Sequence, residues 1–163
     1  MLERAAGLLS RSALVHAART TVAATVSLAI ARAFRLPEPQ WAAISTLVVT
    51  QSTLGAAWAI SVQRFVGTAL GAASAILLAT CLGSSILVFA GGVFGLGVIC
   101  ALFRLDNAAY RFAGITLTIV LLVAREKPVW LIGAHRFGEV SLGIAVGLIM
   151  TASWPESSAK SAP

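Results

Sequence analysis

The chain has 163 residues, of which 58% are hydrophobic and 11% charged, with a net charge of +6 and a mean hydropathy of +0.91. So small a charged fraction cannot clothe a soluble globule, which excludes an ordinary water-soluble enzyme domain. The basic residues are scattered between apolar runs, so they suit lipid headgroups or an anionic solute rather than a nucleic acid.

The charge-free runs set the class. Neither Pro39 to Gln63 nor Phe65 to Phe103 contains an acidic or basic residue, and a helix needs about 20 apolar residues to cross about 30 Å of hydrocarbon. The runs lack strict alternation, so helices are expected rather than a barrel. The predicted fold is therefore all-α: one membrane domain over residues 1–154 with six transmembrane helices.

The first helix is predicted over 13–34; Arg19 interrupts the core that a cleaved signal peptide would need, so a retained span is expected. Pro37 and Pro39 end the first connection, and the second helix is predicted over 41–58. The third follows over 63–82, and Gly83-Ser84-Ser85 marks the turn into a fourth over 84–103. A fifth is predicted over 107–124 and, after Pro128, a sixth over 129–154. The tail 155–163, PESSAKSAP, is polar and expected to be disordered.

Six spans would place Arg4, Arg11, Arg19, Arg64, Arg104, Arg111 and Lys160 on the side of the termini. Arg32, Arg35, Arg125, Lys127 and Arg136 would lie on the other. The excess places both termini in the cytoplasm.

An internal echo divides the domain. Phe34-Arg35-Leu36 recurs as Phe103-Arg104-Leu105, each followed by an aromatic, Trp41 and Tyr110. Arg64-Phe65 recurs as Arg136-Phe137, each followed by Leu-Gly-x-Ala at Leu70 and Leu142. The repeat unit, about 13–82 and then 84–154, holds three helices. An odd number makes the copies inverted repeats, the second entering the membrane upside down.

At helical spacing Arg64 shares a face with Gly67 and Gly71, and Arg136 with Glu139, Gly143 and Gly147. The glycines are expected to be helix-packing positions. Arg64 and Arg136 are expected at opposite mouths of an anion path, and the alternative for each is snorkelling to headgroups. Glu139, three residues after Arg136, is expected either to pair with it or to couple protons. The threonines and Gln51 supply uncharged polar groups or bond back to their own helices. Cys81 and Cys100 lie in apolar runs and suggest neither disulfide nor metal site. No metal site, cofactor motif or nucleophile–base–orienter set is seen, so no enzyme is expected.

From Leu36 the chain reads LPEPQWAAISTLVVTQSTLGAAWAISVQRFVGTALGA. The Leu-Pro-x-Pro-x-Trp entry, Gln51-Ser-Thr-Leu-Gly and Arg64-x-x-Gly67-Thr68 resemble the membrane block of the fusaric acid resistance and aromatic acid exporter family. Arg19-Thr20, Arg136, Gly143 and the closing Trp154-Pro155 fit the same pattern. The resemblance implies a transporter exporting small anionic organic or aromatic acids, with Arg19, Arg64, Arg136, Thr50 and Gln51 as substrate-binding candidates. Plant aluminium-activated malate channels look like distant relatives, which keeps an anion channel open, as does a non-transporting scaffold subunit. Expected partners are the anionic solute, the lipid bilayer, a second copy in a homodimer and a periplasmic adaptor. This chain departs from the family's pattern at Gln51-Ser52, where Gln-Pro is frequent, and the cytosolic domain of many members is not seen.

Overall fold

A computed structural model describes residues 11–123 and 128–154; the polar tail and Arg4, Arg125, Lys127 and Lys160 lie outside the described residues. Every described element is a helix. They are α1 (Arg11–Ala33), α2 (Gln40–Val49), α3 (Leu54–Leu82), α4 (Ile86–Leu102), α5 (Asn107–Thr118) and α6 (Val129–Ser153). A π-helical turn, Ile119–Val123, prolongs α5.

By length and composition three segments can each cross a membrane: Ala13–Ala33, Leu54–Leu82 and Val129–Ser153. The other apolar helices are shorter. Large apolar side chains such as Leu87, Phe94 and Ile149 point outward, as a lipid-facing surface requires. The interior has two apolar clusters. Ala75, Leu96, Ala113, Leu117, Val120 and Leu121 join α3, α4 and the α5 segment; Val49, Val140 and Ile144 join α2 to α6.

The second helix departs from expectation. It ends at Val49, not at residue 58, and the third starts at Leu54, not at residue 63. Thr50 turns extended, and the Thr53 hydroxyl caps α3 by accepting from the Ala56 N–H. The stretch carries no charge, but four polar residues, Thr50-Gln51-Ser52-Thr53, interrupt its apolar run, and the helix breaks on them. The consequence is positional: Arg64 lies ten residues inside α3 instead of at its head.

Two helix ends are built alike. Arg35 and Arg104 are the described non-glycine residues with positive φ, 52° and 51°. At the first end Arg35 N–H donates to Arg32 O and Leu36 N–H to Ala31 O; at the second Arg104 N–H donates to Ala101 O and Leu105 N–H to Cys100 O. Both are Schellman endings with arginine where glycine is favoured. They fall on the two copies of Phe-Arg-Leu.

Candidate functional site

The glycines set how closely the helices approach. A Cβ on Gly67 or Gly71 would strike the Ala109 or Ala113 carbonyl oxygen of α5, and one on Gly143 would strike the Ala42 carbonyl oxygen of α2. Gly147 is slightly less crowded, 3.1 Å from Val49 Cγ1. All four expected packing positions therefore sit on helix contacts, and the pattern is reciprocal. The last helix of the first half packs on the middle helix of the second, and the last helix of the second half packs on the middle helix of the first.

The arginines obey the same reciprocity. Arg64 lies 4.8 Å from the centroid of the Phe112 ring on α5, and Arg136 lies 3.3 Å from that of Trp41 on α2. Next to them Phe65 and Phe137 touch each other, ring centroids 4.8 Å apart, where α3 and α6 cross. Phe65 is about 16 Å along α3 from its start, and Phe137 about 12 Å along α6, at 1.5 Å per residue. The expectation that Arg64 and Arg136 sit at opposite mouths is thus corrected. They share one layer, both anchored to α2: Arg64 Nε donates to Ser45 Oγ at 3.1 Å, one turn from the tryptophan under Arg136. The misplaced start of α3 caused the error.

Both guanidinium groups are buried, Arg64 at 5% exposure and Arg136 at 2%. Nε and Nη1 of Arg136 have no hydrogen-bond partner among the described residues. Stacking on an aromatic face recovers about 2 kcal/mol for a desolvated cation, less than the several kcal/mol that burying an unbonded charge costs. An incoming carboxylate can bond a guanidinium through two parallel N–H groups.

Glu139 is 1% exposed. It does not form an ion pair with Arg136 at salt-bridge distance among the described residues; its Oε1 accepts the Glu38 N–H at 2.8 Å. The Glu38 carboxylate in turn accepts the Trp41 indole N–H at 2.7 Å. Glu38 precedes α2 in the Leu36–Pro39 connection, so this loop reaches the buried layer. Arg136 and Glu139 are therefore joined around a ring, through Trp41 and Glu38.

Arg19 is placed differently. It is fully buried, and its Nη1 and Nη2 donate to the Trp154 carbonyl at 2.8 Å and the Gln51 carbonyl at 2.7 Å. It closes the C-terminal ends of α6 and α2, where a cation meets the helix dipole. Thr50 and Gln51 bond back to the carbonyls of Thr46 and Val48. The structure thus brings Arg64, Arg136 and Glu139 together and sets Arg19, Thr50 and Gln51 at the break after α2. Sequence reading missed Glu38, Ser45 and Phe112 as members of the site. It matched Trp41 with Tyr110, whereas the residue used like Trp41 is Phe112, and only the contacts to the arginines reveal this.

A family model described as fusaric acid resistance protein-like matches residues 23–150. The uncharacterized transporter YdhK of Escherichia coli (strain K12) is 34% identical over 153 residues, covering 88% of this chain and 23% of the relative. The protein of the same description from Salmonella typhimurium (strain LT2) is 32% identical over 153 residues, with 88% and 22% covered. This chain spans less than a quarter of the length of these relatives. No solved structure matches it.

Proposed function

This chain belongs to the fusaric acid resistance protein-like family, and on that premise we propose that it is the membrane-embedded part of an exporter for small anionic organic acids, aromatic carboxylates included. One observation carries the reading: two buried arginines in one layer, one of them with unbonded N–H groups. A cationic centre inside an apolar block favours an anion and disfavours a cation. Export is the direction that the resistance description supports, and the relatives' printed name is that of a transporter.

The two halves are read as inverted repeats. The matched helix endings, the reciprocal arginine–aromatic stacking and the Phe65–Phe137 contact support a pseudo-two-fold axis through the layer. Such an axis is the usual setting for a central solute site. We place the protein in the inner membrane with both termini cytoplasmic, working as a homodimer, with a periplasmic adaptor as a further partner.

Benzoate flux from liposomes containing the full chain is the test. Wild-type protein is expected to release loaded benzoate, and Arg64→Ala or Arg136→Ala to abolish release while inserting normally. Wild-type flux from either variant would remove that arginine from the path. Arg64→Lys and Arg136→Lys, which keep the charge and lose the planar fork, are expected to retain weak flux.

A further inference from the structure

We propose that the anion is bound together with a proton, taken up mainly by Glu139 with Glu38 beside it, so that the site handles the net-neutral acid. The inference rests on the anion-site reading above and names the ion bound with the anion.

Arg136 and Glu139 lie one turn apart on α6 and face the same layer. They are not in direct contact at salt-bridge distance among the described residues. Instead Glu139 is held by the Glu38 backbone, and the Glu38 carboxylate by the indole of Trp41, whose ring lies under Arg136. The guanidinium thus keeps Nε and Nη1 unbonded although two carboxylates stand nearby. The charged groups acting on this cluster are Arg136 and Glu139 from α6, Glu38 from the α1–α2 connection, and Arg64 from α3.

A carboxylate arriving at Arg136 therefore adds a negative charge beside two existing ones in a water-poor layer. Like charges at such separations favour protonation of one member. Glu139 is the more deeply buried of the two, so it takes the proton, which comes from solvent water. Reciprocity then follows: whatever the anion does for proton binding, the proton does for anion binding. Protonation does not break the support beneath the site, because a neutral carboxyl still offers a carbonyl oxygen to the Glu38 N–H. The two ligands bind cooperatively rather than in exchange. An anion that leaves with one proton carries no net charge, so the membrane potential does not act on it and an acidic exterior opposes it; the solute's own outward gradient drives export.

The repeat makes the assignment specific. Position 139 corresponds to Gly67 in the first half, where a side chain would strike Ala109. Only one half has a carboxylate in this place, so a single proton is predicted for each anion.

The test is calorimetric titration of the purified full chain with benzoate, in two buffers of different ionisation heat, at pH values where benzoate is fully ionised. Uptake of about one proton per bound benzoate is expected, with affinity strengthening about tenfold per unit fall in pH. Glu139→Gln, whose amide oxygen can still accept the Glu38 N–H, should bind benzoate with an affinity that no longer follows pH. Benzoate binding by the wild type without proton uptake would overturn the proposal and leave the anion site standing. Undiminished uptake in Glu139→Gln would also overturn it. Absence of benzoate binding by the folded wild type would overturn the anion reading itself.

Discussion

Residues of one type have been put to different uses in this protein, and burial alone does not separate them. Arg19, Arg64 and Arg136 are all buried, yet Arg19 donates to two helix-terminal carbonyls while Arg136 has nitrogens without a partner. Replacing Arg19 by methionine leaves both carbonyls without that donor and should lower stability by about 1.5–3 kcal/mol per lost charged bond. Thermal unfolding in detergent would show this, and a melting temperature equal to wild type would contradict it. The glycines divide in the same way. Gly143→Ala forces its Cβ into the Ala42 carbonyl and should cost about 1–3 kcal/mol. Gly138→Ala meets nothing within 4 Å and should stabilise by up to about 1 kcal/mol through helix propensity. Four-residue spacing pointed to Gly67, Gly71, Gly143 and Gly147, but not to Gly92 and Gly133, where an added Cβ would meet the side chains of Leu78 and Ile76. It could not separate the three arginines, because what distinguishes them is the partner each reaches across the fold: two carbonyls for Arg19, the Ser45 hydroxyl and Phe112 ring for Arg64, and the Trp41 ring for Arg136.

Among the elements, the helix ends are more informative than the helix bodies. Arginine in the left-handed region at residues 35 and 104 costs about 1–2 kcal/mol relative to a conformation open to any side chain. Arg35→Gly and Arg104→Gly should therefore each raise the unfolding midpoint measured in detergent; a fall in either would mean that the side chain contributes more than its backbone strain. Of the five helix starts after α1, four were legible to within two residues, since prolines, serines and Asp106 punctuate them. The start of α3 was not. Its signal was Thr50-Gln51-Ser52-Thr53, four uncharged polar residues ending on the capping hydroxyl, inside a run that carries no charge. That one boundary moved Arg64 from an expected mouth to the middle of the block and changed the chemistry open to it.

For the molecule as a whole, the crossing of α3 and α6 can be tested directly. With Cys81 and Cys100 replaced by serine, cysteines at positions 65 and 137 should be joined within one chain by a short bifunctional maleimide. Arginine guards on opposite membrane faces would leave those positions beyond the reagent's span and give no such product. The orientation argument also changes at this scale. With Arg19, Arg64 and Arg136 buried inside helices, the basic residues left to bias insertion are Arg4, Arg11, Arg104, Arg111 and Lys160 against Arg32, Arg35, Arg125 and Lys127. The reciprocal stacking has one more consequence, for assembly. Each half supplies the ring that covers the other half's cation, so neither can bury its own arginine alone. Cut at the Gly83–Ser85 turn, the two pieces should be degraded when made singly and should rescue one another when made together. On the inverted-repeat reading proposed above, the two halves are expected to fold only together, and stable folding of either piece alone would contradict it.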